Sequence, residues 1–277
     1  MKIKIACNYY PETEQLVDEK VIDIDYFKLF ALGFQMALAE NLDEFEIFCE
    51  KLTVKRPILL HGLGSLPHDL SSPTFQTDFD KDEANRLIKM TKTPGLSFHP
   101  TFTEKDFSFD NIVSNAKFIK EKYSHMEFVS IENMDSLRWG DLIKPDVIHR
   151  LLDETGYGFL LDISHAYCAS RWLDIPFRSY LKMLPLEKVT EIHINGWIVK
   201  DNKIMCHTKI NDEGYAALEE VLQYCVPQII TVEYGRDYDK FDIGIPLIAL
   251  DSINERAKDE ITEQIHRIKQ MVYSISE

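Results

Sequence analysis

The chain has no C-x-x-C pair, no G-x-G-x-x-G or Walker-type glycine loop, no G-x-S-x-G elbow, and no run approaching the roughly 20 apolar residues of a membrane span. Each absence removes a class of protein. The five cysteines (Cys7, Cys49, Cys168, Cys206 and Cys225) are scattered and odd in number, which argues against a disulfide framework. Without a glycine loop after any apolar run, the nucleotide-binding forms of the doubly wound sheet lose their signature. Ser164 stands in DISH and not in a nucleophile elbow, so a Ser-His-Asp hydrolase has no support. Positive charge is also short. With 31 Lys and Arg against 46 Asp and Glu, the formal charge is −15, the average field repels polyanions, and no basic run interleaved with aromatics offers a nucleic-acid track. The opening MKIKIACNYY is strand-like, too short and too polar for a signal peptide. A soluble, cytoplasmic protein with no nucleic-acid or membrane partner is therefore expected, and its oligomeric state is left open.

Hydrophobic residues make up 45% and charged residues 28% of the 277, enough apolar side chains for a sizeable core. Short apolar runs rich in β-branched and aromatic residues recur along the chain, and helical periodicity follows most of them. Strands are predicted near Lys2–Cys7, Val21–Phe30, Pro57–His61, Gly95–His99, Glu127–Glu132, Gly158–Asp162, Val189–His193 and Ile229–Glu233. Helices are predicted near Glu14–Glu19, Leu38–Leu52, Lys81–Lys92, Asp110–Lys122, Pro145–Thr155, Phe177–Leu184, Glu213–Cys225 and Ile253–Ser274. Asp110 suits a cap, Pro145 a first turn, and Gly156 the residue after a helix. Eight such alternations predict an α/β fold, a (β/α)₈ TIM barrel, with residues 1–277 as a single domain.

The chemistry lies where the apolar runs end. ILLH ends at His61, LSFH at His99, VSIE at Glu132, FLLD at Asp162, TEIH at His193 and TVE at Glu233, while His165 follows Asp162 by three residues and His207 lies after strand seven. In a parallel barrel all strand C-termini open on one face, so these side chains converge. Imidazole and carboxylate donors together suit zinc, iron or manganese, and a bridging carboxylate such as Glu132 or Glu233 can hold two ions about 3.5–4 Å apart. One histidine at a strand end has an ordinary explanation in partial burial. Five of nine histidines with three carboxylates do not, because that many buried acids would be costly without a cation. His68, His125, His149 and His266 fall elsewhere and receive no role. Asn133 and Asp135 are either hydrogen-bonding partners of the site or loop residues. Trp139, Tyr167, Trp197 and Tyr234 either wall a pocket or pack in the core. Cys206, beside His207, lacks a visible base and reads as an inert thiol.

With these residues in order, the chain resembles the xylose-isomerase-like TIM-barrel superfamily. The order His61, His99, Glu132, Asp162, His165, His193, His207, Glu233 is similar to the trinuclear zinc constellation of endonuclease IV, as is LDISHAYCA at 161–169. A longer resemblance, over about three quarters of the chain, is to the multinuclear non-heme iron-dependent oxidases, the family that includes the methanobactin-maturation enzyme. It rests on LLHGLGS at 59–65, IEN at 131–133, TGYGFLLDISHAY at 155–167 and FRSYLKMLPLEKVTEIHINGW at 177–197.

That resemblance implies that His61, His99 and Glu132 hold one ion and that Glu132, Asp162, His193 and Glu233 surround a second. His165 and His207 would serve a third, with Glu132, Glu233 and His165 acting in catalysis. This sequence departs from the pattern at Met205, where both families place Asp, at His165, where the oxidases often carry Asn, and at Thr208, where they carry Asp. A thioether cannot replace a hard carboxylate, so the third site is expected to be weak unless Asp212 or water completes it. The implied cofactors are two or three divalent ions, iron first, zinc or manganese otherwise. The implied enzyme is a metal-dependent oxidoreductase acting on a small or peptide substrate, cysteine-containing peptides included. A phosphodiesterase like endonuclease IV, a sugar isomerase, and a non-catalytic peptide- or metal-binding barrel are the alternatives.

Overall fold

The computed structural model describes residues 2–30, 41–64, 69–102, 107–201, 203–235 and 253–276. Eight parallel strands close into a barrel: β1 (Lys4–Asn8), β2 (Tyr26–Phe30), β3 (Ile58–His61), β4 (Gly95–Phe98), β5 (Phe128–Glu132), β6 (Gly158–Asp162), β7 (Val189–Ile194) and, after an antiparallel hairpin of β8 (Gly196–Lys200) and β9 (Lys203–Thr208), β10 (Ile229–Val232). Neighbours pair in chain order and β10 pairs with β1, which closes the ring. This is the α/β barrel expected from the alternation of elements.

The connecting helices are α1 (Pro11–Asp18), α2 (Leu42–Thr53), α3 (Phe75–Asp78), α4 (Lys81–Thr91), α5 (Phe109–Lys122), α6 (Pro145–Thr155), α7 (Ile163–Trp172), α8 (Phe177–Met183), α9 (Asp212–Val221) and α10 (Glu255–Ser276). Their starts have local causes. The side chains of Asn41, Asp80 and Asn211 accept from backbone N–H groups of the first turns of α2, α4 and α9. Pro145 opens α6 and Gly156 closes it at φ 66, where a Cβ would be strained. The cap of α5 is Ser108, whose hydroxyl takes the Asn111 N–H; Asp110 instead sits inside the first turn, where its charge favours the helix dipole.

Three departures from the expected elements matter. The second strand begins at Tyr26 and not Val21, because Asp25 turns both its carboxylate and its backbone N–H onto Ile5. A helix, α7, follows β6 with no loop. The hairpin β8–β9 carries Met205, Cys206 and His207 over the barrel. The first three residues of the expected helix Leu38–Leu52, Ser65 and His68 lie outside the described residues.

Alternation along the strands sorts the barrel interior into layers. Ala6, Tyr26, Leu59, Phe128 and Ile229 form an apolar plug at the N-terminal end. Two residues further along the strands come Lys28, Ser97, Glu191 and Thr231, all buried. A further step brings His99, Glu132, Asp162, His193 and Glu233, and His61 joins them from β3, two residues beyond Leu59. Between sheet and helices lies the main core, which includes Leu60, Leu96, Ile131, Leu161, Ile192 and Val232.

Gly196 begins the hairpin where the chain passes close to Lys209: a Cβ there would sit 1.9 Å from the Lys209 carbonyl oxygen, a backbone atom that cannot swing away. Gly196→Ala is expected to lower stability by about 1–3 kcal/mol through overpacking. An unchanged thermal unfolding midpoint would show that the hairpin absorbs the methyl group.

Candidate metal centre

Among the described residues, three groups of side chains each bring one donor atom per residue within 4.8 Å of one another: His61, His99 and Glu132; Glu132, Asp162, His193 and Glu233; and Asp162, His165 and His207. All eight sequence-predicted site residues are thus brought together. The spacing is tight. His61 Nε2 and His99 Nε2 lie 3.3 and 3.4 Å from Glu132 Oε2, and His165 Nδ1 lies 3.3 Å from Glu132 Oε1. His193 Nδ1 is 3.0 Å from Glu233 Oε2 and 3.6 Å from Glu132 Oε1, and His207 Nε2 is 3.4 Å from Glu233 Oε2.

Despite that proximity, Glu132 Oε2, His193 Nδ1 and Glu233 Oε2 are buried and make no hydrogen bond. Buried polar atoms are nearly always paired, so three unpaired lone-pair atoms facing one another mark a place shaped for a cation. Nitrogen and carboxylate donors of this kind fit a divalent ion of the zinc, iron or manganese group. His99 and His207 are the solvent-facing members, at 22% and 33% side-chain exposure against 1% or less for His61 and His193. The centre is therefore open to solvent on their side.

The layer beneath holds the donors in orientation. His61 Nδ1 lies 3.0 Å from Ser97 Oγ, which leaves Nε2 for Glu132. His193 Nε2 lies 3.2 Å from Glu191 Oε1, which turns Nδ1 toward Glu132 and Glu233. Glu191 Oε1 also accepts from Lys28 Nζ at 2.7 Å and Thr231 Oγ1 at 2.6 Å, and Lys28 donates to Ser97 at 2.9 Å. Both histidines therefore rest on one buried network centred on the Lys28–Glu191 ion pair, the outer support that fixes imidazole tautomer and basicity in metal sites. Sequence reading missed both residues. The inward register of YFKLF, two residues before the mouth, was the available signal for Lys28.

Asp162 has two functions. It is the N-cap of α7: its Oδ1 accepts from the His165 N–H at 2.7 Å and Ser164 Oγ at 2.8 Å, while its Oδ2 accepts from Asn195 Nδ2 at 2.9 Å. The D-x-x-H spacing is thus cap geometry, placing His165 on the first turn and at the mouth. Asn133 is a supporting partner: its side chain bonds both the N–H and the C=O of Asp162, and its carbonyl oxygen lies 3.1 Å from His165 Nδ1. Asp135 accepts from Trp139 Nε1.

His207 has φ 60, a strained conformation for a non-glycine residue. Its N–H donates to Asn195 Oδ1 at 2.9 Å and its carbonyl accepts from the Gly235 N–H at 2.7 Å, which hold it there. The carboxylate of the third group is Asp162, which Met205 does not displace. Asp212 does not complete this group: its side chain is 97% exposed beside Arg267.

The remaining candidates pack elsewhere. Tyr167 stacks on Trp197 with Phe177 edge-on, Tyr234 is buried and donates to Glu260, His149 and His266 bond the carbonyls of Met183 and Val21, and His125 lies against Tyr123.

Electrostatics follow the same geometry. Burial works against ionisation of Glu132 and Glu233, but the neighbouring histidines outweigh it and hold both carboxyls well below their usual range. Burial likewise opposes charge on His165 and His193, yet Asp162 and Glu132 in the first case and Glu233 and Glu132 in the second raise them well above theirs. Burial dominates at His61, which is lowered, and at Asp162, which is raised. Against its own burial, Lys28 and His193 bring Glu191 down to about 2.

A family model of the RiPP precursor modification enzymes MbnB/TglH/ChrH matches residues 19–245. The chain belongs to that family. Two curated relatives, both described as UPF0276 proteins, come from Psychromonas ingrahamii and Caulobacter vibrioides. The first is 22% identical over 69% of this chain and 70% of its own length, the second 26% identical over 53% and 57%. Solved structures share the fold. A xylose isomerase domain-containing protein from Salmonella typhimurium superposes with a TM-score of 0.65 at 13% identity, covering 99% of both chains. Endonuclease IV from Thermus thermophilus gives 0.53 at 14%, covering 84% of this chain and 93% of its own. The IOLI protein with a bound zinc atom gives 0.57 at 14%, covering 99% and 98%. The fold is therefore the xylose-isomerase-like TIM barrel.

Lys28→Met leaves Glu191 buried without its cation and is expected to destabilise the fold by about 3–5 kcal/mol. Chemical denaturation measures this, and an unchanged midpoint would show that the pair does not anchor the barrel interior.

Proposed function

We propose that this chain is a multinuclear non-heme iron oxidase that modifies a cysteine-containing peptide. The observation that carries this reading is the linkage of the three donor groups by shared carboxylates, with Glu132 common to the first and second and Asp162 common to the second and third. In this reading His61, His99 and Glu132 hold one ion, Glu132, Asp162, His193 and Glu233 a second, and Asp162, His165 and His207 a third. The family's description, which names precursor modification, supports a peptide substrate. The mixed imidazole and carboxylate donors support iron, with zinc or manganese as the alternatives.

Bound iron supplies one-electron redox steps and the activation of dioxygen. The chain's own residues do the rest. Glu132 and Glu233 would hold the ions and offset their charge. His165 Nδ1 has two oxygen neighbours, Asn133 O and Glu132 Oε1, so that nitrogen would keep its proton and Nε2 would be the one to give up its own and offer a lone pair to an ion. The exposed edges of His99 and His207 would admit the substrate beside the residues that would hold the ions. Buried Ser97 and Glu191 keep His61 and His193 from turning away.

Protein purified without added metal is expected to carry two or more equivalents of iron and to consume dioxygen when given a cysteine-containing peptide. Zinc or manganese alone with no dioxygen uptake would instead favour a metal-dependent hydrolase or isomerase, and under half an equivalent of any metal would favour a non-catalytic barrel. Glu132→Gln is expected to lose two equivalents together by elemental analysis, and loss of a single equivalent would contradict its bridging place.

Metal uptake should also release protons. In the metal-free protein His207 is raised to about 9, because Glu233 and Asp162 outweigh the effect of burial, so near pH 7 it is protonated and must lose that proton to bind an ion. Apparent affinity should therefore rise with pH up to about 9. Calorimetry in buffers of differing ionisation enthalpy measures the release, and zero protons released at pH 7 would refute it.

A further inference from the structure

Cys168 and Cys206 are 38 residues apart in sequence, yet their sulfur atoms lie 3.0 Å apart, well inside ordinary non-bonded sulfur contact. Both are free thiols here. Cys168 is buried on α7, one turn beyond His165; Cys206 is partly accessible on β9, next to His207. The other three thiols are isolated from this pair: Cys7 in the barrel wall, Cys49 in α2, and Cys225 bonded to the Val221 carbonyl.

We propose that Cys168 and Cys206 are a thiol–disulfide couple, an oxidation site that closes when the protein meets a hydroperoxide. A disulfide needs an S–S distance of about 2.05 Å, so side-chain torsions have about 1 Å to close from the observed contact. Accessibility sets the order. The Cys206 thiolate attacks the peroxide, the O–O bond breaks, and a sulfenic acid forms at Cys206 while the departing oxygen leaves as water or alcohol. The Cys168 sulfur then attacks the Cys206 sulfur, the S–S bond forms, and the sulfenic oxygen leaves as water. Two thiols lose two electrons and two protons, and one hydroperoxide is reduced.

The bond joins α7 to β9, the two elements that bear His165 and His207. It therefore ties together the two donors of the centre that do not end a barrel strand.

The test uses the full chain as purified. After exposure to hydrogen peroxide, remaining thiols are alkylated and the digest is read by mass spectrometry. The expected product is a Cys168–Cys206 cross-linked peptide pair, two hydrogens lighter than its thiol form and restored by dithiothreitol, while Cys7, Cys49 and Cys225 are recovered alkylated. In Cys168→Ser, Cys206 should instead accumulate as a sulfenic acid that dimedone traps. The proposal is overturned if wild-type Cys168 and Cys206 are recovered as alkylated thiols after peroxide, or if Cys206 is carried to sulfinic or sulfonic acid with no cross-link.

Discussion

The interior of this barrel is governed by an excess of buried negative charge. Glu132, Asp162, Glu191 and Glu233 are each 4% exposed or less, and Lys28 is the one buried lysine or arginine among the described residues. Four carboxylates against one ammonium leave three negative charges to be met, and isolated buried charges are too costly to persist. Three of the surrounding histidines, His165, His193 and His207, are raised above the usual imidazole range by these same acids. In the metal-free protein, protons on those rings supply the balance. Divalent cations supply it more completely, because they also meet the buried oxygens of Glu132 and Glu233 that make no hydrogen bond.

The layering of the barrel follows from this constraint. The apolar plug of Ala6, Tyr26, Leu59, Phe128 and Ile229 closes the N-terminal end and keeps water from the charges above it. Lys28 then sits where it can neutralise Glu191 without competing for the mouth, and Glu191 in turn orients His193. Lys28 is no free catalytic lysine, since its ammonium group is occupied by Glu191 and Ser97. The polar layer is a support, and the donor layer above it faces the substrate.

Much of this was legible in the sequence because a strand has a period of two and a parallel barrel gathers its strand ends. Those two rules suffice to bring His61, His99, Glu132, Asp162, His193 and Glu233 to one face from positions more than 170 residues apart in the chain. What escaped was written in contacts and not in pattern. The register of YFKLF turns Lys28 inward, but no pattern names its partner Glu191 on β7. Helix α7 was hidden because ISHAYCASRW has small and polar residues where an amphipathic stripe would show, although Asp162 before it is a proper cap. The hairpin β8–β9 was hidden because GWIVK and KIMCHT lie beside a strand already assigned. The contact of Cys168 with Cys206 depends on where that hairpin lands.

The same distinction separates the parts of the centre. Donors of the first two groups come from the ends of barrel strands, whose positions are fixed by hydrogen bonds to neighbours on both sides, and sites built this way hold their geometry well. The third group draws only Asp162 from the barrel; His165 belongs to the first turn of α7, and His207 to a hairpin residue in a left-handed conformation held by Asn195 and Gly235. Backbone strain persists where surrounding bonds over-determine it, and here those bonds come from the residue that follows β7 and the residues that follow β10. The third group is therefore assembled largely from additions to the barrel, held less directly than the other two. Asp162 joins the two regimes, since one carboxylate caps α7, takes the Asn195 amide and faces both groups. A change at the hairpin is thus transmitted to the barrel through Asn195 and Asp162.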